Sequence, residues 1–95
     1  MVLTMPTISA FLKIDPDRVA DGLQAAGAKL DGVPVETILD FSSVLRIDPK
    51  ALIEMEELAR LADEKAVKIG LRGVNVEIYK VLKLVNLASR FSFLT

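Results

Sequence analysis

Apolar and polar positions alternate along this chain with two different periods, and the switching between them marks its organisation. Ile8, Ala10, Leu12 and Ile14 recur at every second position, predicting a short strand over residues 8–14. Asp15-Pro16-Asp17 then signals a helix start, with Asp15 as N-cap and Pro16 at the first helical position. Val19, Leu23, Ala26 and Leu30 fall at helical spacing, and Asp31-Gly32 closes that helix. Gly22 and Gly27 lie inside it, each costing up to about 1 kcal/mol relative to alanine, which close packing against a sheet explains.

The same rhythm repeats. Val33 to Phe41 reads as a second strand with Pro34 confined to its beginning, and the run Ile38, Leu39, Phe41 predicts burial on both faces. A second helix follows over Pro49–Lys65, with Asp48 as cap and Leu52, Met55, Leu58, Ala59 and Ala62 as its inward stripe. Glu54, Glu56, Glu57, Arg60, Asp63, Glu64 and Lys65 cover its other side as a solvated face. Val67, Ile69 and Leu71 alternate with Lys68, Gly70 and Arg72 in a third strand that Gly73 ends. Asn75 caps a third helix facing inward through Ile78, Tyr79, Leu82 and Val85, widened by Val81 and Leu84. The apolar tail Leu87–Leu94 packs back as a short strand or turn. Strand and helix in alternation predict an α/β fold, a mixed β-sheet with helices packed on it, in one domain over residues 1–95.

Composition narrows the chemistry. A 95-residue chain buries roughly 60–65% of its unfolded surface, enough for one small core. Twelve basic and 13 acidic residues leave a net charge of −1, so no global field draws in nucleic acid or anionic membrane. Lys68, Arg72, Lys80, Lys83 and Arg90 would form the basic face for nucleic acid, but the aromatic residues that base stacking needs are few. The absence of cysteine removes disulfide and thiolate chemistry and fits a cytoplasmic location. The absence of histidine removes the commonest general base and metal ligand. No uncharged apolar run approaches the roughly 20 residues of a membrane span, and residues 1–12 lack the basic start of a cleaved signal peptide. The apolar fraction of 52% is high for so small a domain and points to a partner or self-association face, a homodimer among the options.

No nucleotide loop, nucleophile elbow or Ser-x-x-Lys motif occurs, and no enzyme activity or cofactor is expected. Gly70-Leu71-Arg72-Gly73 lacks the spacing and the Lys-Ser/Thr pair of a phosphate loop and reads as a strand-end turn. Asp40, at the end of a buried strand, reads as a hydrogen-bond acceptor that fixes the following loop. The segment Thr37-Ile38-Leu39-Asp40-Phe41-Ser42-Ser43-Val44, then Ile47-Asp48-Pro49-Lys50-Ala51-Leu52, stands out as a strand, a short loop and an exposed helix start.

That segment, with the Leu52–Ala62 helix, resembles the STAS domain of anti-sigma factor antagonists, whose strand ends in Asp-Leu/Phe-Ser-x-Val before Asp-Ser-Ser/Thr-Gly opens a helix. Val67–Val74 is similar to the family's next strand and turn, Val76–Leu87 to its following helix, and Phe91-Ser92-Phe93 to its ending. The resemblance spans residues 35–95, and residues 8–32 more loosely, with the N-terminal strand region reduced. It implies a protein-interaction module that docks a partner, an anti-sigma factor or kinase-like protein, through Ser42, Ser43, Asp48, Lys50 and Ala51, with Leu52 and Met55 anchoring from below. In many members a serine or threonine two residues after the helix-opening aspartate is phosphorylated, which places about two negative charges at the interface. Here Asp48 matches that aspartate, whereas Pro49 and Lys50 replace the hydroxyl residues and Ala51 the glycine. The resemblance therefore implies docking without the usual switch, or a switch moved to Ser42 or Ser43. It also admits a cytoplasmic accessory subunit of an anion or lipid transporter.

Overall fold

The computed structural model describes residues 9–30 and 36–94. Strand β1 (Ser9–Lys13), helix α1 (Val19–Ala28), strand β2 (Glu36–Asp40), helix α2 (Pro49–Lys65), strand β3 (Lys68–Arg72), helix α3 (Val76–Leu84), a 3-10 turn (Ala88–Arg90) and strand β4 (Ser92–Leu94) follow one another. The four strands lie in the order β1-β2-β3-β4 and every pairing is parallel. The α/β expectation holds. Among the described residues the sheet is parallel rather than mixed, because each strand reaches its neighbour through a helical crossover. The expected reduction at the N-terminus, the Asp31-Gly32 stop and Pro34 fall outside the described residues.

Parallel crossovers are right-handed in nearly all proteins, and three such connections in one direction place the helices on one face of the sheet. Leu39, Ile69 and Leu71 on that face join Leu23, Ala26, Ala51, Met55, Leu58, Ile78 and Leu82 from the helices in a single buried cluster. The register places Phe11, Ile38 and Gly70 in one row on the opposite face. There Phe11 is exposed and Ile38 only half-buried, so β2 is not buried on both faces as its apolar run predicts. Gly70 is covered because Leu94 and Ile38 lie over it, 3.3 and 3.6 Å from the place a Cβ would take.

Local signals and tertiary packing divide the control of the helices. At α2 the expected cap forms, with Asp48 Oδ1 accepting from the Ala51 amide at 2.8 Å. Residues 15–17 instead close a turn: Asp15 Oδ1 accepts from the Asp17 amide and Asp15 O from the Arg18 amide. Helix α1 therefore starts at Val19, without a side-chain cap. Gly27 sits under Leu61 of α2, 3.2 Å from its missing Cβ, so this glycine serves the α1–α2 contact rather than a helix–sheet one. On α3, Ile78 and Leu82 are buried as expected, while Tyr79, Leu84 and Val85 are exposed. Three residues of that predicted inward stripe thus face solvent. Among the described residues Thr37 is the buried polar residue of the core, 1% exposed, with no hydrogen-bond partner for Oγ1 there.

Candidate docking surface at the carboxyl end of the sheet

In a parallel sheet all strands deliver their following loops to the same end. Here residues 14–18, 41–48 and 73–75 meet at that end. The loop after β2 is the best anchored of the three. Phe41 and Val44 are buried beneath it, the Phe41 amide donates to Arg72 O at 2.7 Å, and the Val44 amide to Phe41 O at 2.9 Å. Asp40 Oδ1 accepts from both the Ser42 amide, at 3.0 Å, and the Ser42 hydroxyl, at 2.5 Å. These bonds hold the Asp40 carboxyl below the ordinary aspartate range, the Ser42 hydroxyl contributing most, with Arg72 and Lys13 adding attraction. Asp40 is the loop-fixing acceptor that its place in the sequence predicts.

The next loop clamps this one from the side. Gly73 adopts φ +74°, and a Cβ there would meet the Ser42 backbone at 2.8 Å. Only glycine satisfies both the left-handed backbone and this approach. Asn75 has two roles. Its Oδ1 accepts from the Ile78 amide at 2.8 Å, capping α3, and its Nδ2 donates to Leu45 O at 3.0 Å. Between the first two loops lies an open crevice of about 250 Å³ lined by Pro16, Asp17, Val19, Arg46, Ile47 and Asp48.

The sequence-expected site residues separate into two groups. Ser42, Ser43, Asp48 and Lys50 are exposed at this end of the sheet. Ala51 and Met55 are fully buried, at 0% exposure. Ala51 therefore does not line the surface, and Met55 belongs to the core below it, because the cap turns that side of α2 onto the sheet. Leu52, expected beside Met55, is half-buried. Two apolar residues that the pattern reading left unassigned are prominent instead. Leu45 is 76% exposed in the loop, and Ile53 is 62% exposed three positions after Lys50, on the same outer side of α2. Their signal in the sequence is negative: neither fits the periodicity of an adjoining element. Arg46, next to Leu45 in the loop, is exposed as well. Among the described residues no group of three His, Cys, Asp or Glu side chains is placed to hold a metal ion, and no helix is long and apolar enough to cross a membrane.

No protein-family profile matches the chain, and no curated protein matches it. Solved structures do. A sulfate transporter family protein from Wolinella succinogenes superposes with a TM-score of 0.77 at 20% identity, covering 96% of this chain and 80% of that one. A protein assigned as an anti-sigma factor antagonist from Thermotoga maritima superposes with a TM-score of 0.68 at 17% identity, covering 86% and 71%. Both are STAS-type folds, and the present chain shares that fold.

Proposed function

We propose that this protein is a non-enzymatic interaction module of the STAS type, docking a partner protein through the loop after Asp40 and the start of α2. The observation that carries this reading is a loop pinned by Asp40, Gly73 and Asn75 that nevertheless turns Leu45 out to solvent. Holding an apolar side chain in a fixed exposed position lowers the ordering cost of binding, and such anchors dominate interface energetics. Ile53 extends the apolar contact, while Arg46 and Lys50 give it a cationic margin that favours one orientation of the partner. Lys50 stands where a phosphorylated hydroxyl would, so docking here runs without that switch. Ser42 is a poor replacement, since its hydroxyl is already committed to Asp40.

Affinity capture with the tagged protein tests the surface. Leu45→Asp and Lys50→Glu alter exposed side chains, so both variants retain the wild-type circular dichroism spectrum. Leu45→Asp lowers capture of the partner roughly tenfold and Lys50→Glu about threefold to fivefold. An identical bound set for all three proteins removes the surface from consideration. Incubation with ATP and a cognate kinase leaves the intact mass unchanged; phosphate on Ser42 or Ser43 restores the switch.

A second reading draws on the sulfate transporter family neighbour: the chain serves as an accessory subunit of an anion or lipid transporter. Co-purification with a membrane permease supports it, and a complex with a kinase-like protein alone counts against it.

A further inference from the structure

The β4 side of the sheet carries a second surface, built differently from the docking end. Strand β4 pairs with β3 on one side, and among the described residues its outer edge has no strand neighbour. Such an edge presents a row of backbone donors and acceptors to whatever lies beside it. Two adjoining hollows of about 370 and 300 Å³ run between that edge and α3. Tyr79 and Phe93 line both, their rings meeting edge to face with centroids 5.1 Å apart. Val74 and Val76 form the apolar wall at one end, and Lys83 stands at the other. Val76, Tyr79 and Lys83 follow one another at i, i+3 and i+7, so one side of α3 accompanies the groove along its length.

We propose that this groove receives an extended apolar and acidic segment of another protein, which adds to β4 as a fifth strand. Strand addition beside a helix takes its affinity from main-chain hydrogen bonds and its specificity from alternate side chains. The span from Val76 to Lys83 is about 10 Å, which accommodates three to four extended residues. Every second side chain of the segment then rests on Val76, Tyr79 and Phe93. Charge selects the remainder. Lys83 and Lys80 make no ion pair among the described residues, and Glu77 is the one acid on α3. A carboxylate on the incoming segment answers Lys83. A second copy of the chain pairing edge to edge would bring two lysine-bearing grooves together, so an acidic partner is favoured over self-association.

The test uses the ¹⁵N-labelled 95-residue protein and two blocked hexapeptides of alternating Val and Thr, one ending in Asp and one in Lys. The Asp peptide shifts the amide signals of Val76, Tyr79 and Ser92–Leu94, and binds about fivefold more tightly than the Lys peptide. Lys83→Glu, an exposed substitution, inverts that preference, while Leu45→Asp leaves it unchanged and so keeps this groove distinct from the docking loop. The proposal is overturned by the Asp peptide failing to move these amides, by shifts confined to other residues, or by a preference that Lys83→Glu does not alter. Concentration-dependent shifts of the same amides without peptide mark a second copy as the occupant and overturn it equally.

Discussion

Thr37 puts a hydroxyl into a core otherwise made of hydrocarbon, and its Oγ1 finds no hydrogen-bond partner among the described residues. An unsatisfied buried polar group costs on the order of 1–3 kcal/mol, and valine has nearly the same shape without it. Thr37→Val is expected to raise unfolding free energy by about 1 kcal/mol, read as a higher urea midpoint at unchanged m-value. Asp40 shows the opposite economy, an exposed carboxylate made useful by two bonds from Ser42. Because its folded pKa is depressed, its support for the loop is complete above the unfolded value and is lost as pH falls through the folded one. The carboxyl carbon of Asp40 therefore titrates below an unperturbed aspartate. Ser42→Ala moves that midpoint up part of the way, since the Ser42 amide still donates. A midpoint insensitive to Ser42→Ala assigns the depression to the Ser42 amide, with Arg72 and Lys13, rather than to the hydroxyl.

Among the elements, Asn75 joins two structures with one side chain, capping α3 and fastening the loop after β2. Asn75→Asp keeps the cap acceptor and removes the donor to Leu45 O, whereas Asn75→Ala removes both. Thermal unfolding should show a loss of about 1–2 kcal/mol for Asn75→Ala and a smaller one for Asn75→Asp. Hydrogen exchange at Val44 and Leu45 should quicken in both variants. Asn75 and Asp48 were legible as caps because capping is settled within four residues of chain. The start of α1 was not, because Asp15-Pro16-Asp17 serves a turn as readily as a helix start, and the turn forms. Tyr79 and Leu84 were misread for a related reason. Ile78 and Leu82 are the buried residues of α3, and how wide a helix's buried stripe becomes depends on what faces it.

At the scale of the whole molecule, topology decides which residues meet water. Strand order and crossover handedness put every helix on one face, and sequence periodicity alone does not state this, so the apolar run of β2 overstated its burial. Topology likewise gathers the three loops at one end of the sheet, where the segment from Asp40 to Lys50 is presented. The sequence resemblance located that segment; only the folded chain reveals that Leu45 and Ile53, rather than Ala51 and Met55, supply its apolar contact. The central claim is that partners bind at this end. A photo-crosslinking amino acid in place of Leu45 tests it directly, with the same group in place of Lys29, just past the end of α1 and so at the opposite end of the sheet, as the reference. After irradiation in cells, the Leu45 position is predicted to yield a discrete protein adduct that the Lys29 position does not. Equal adducts from both positions, or none from Leu45, would contradict it.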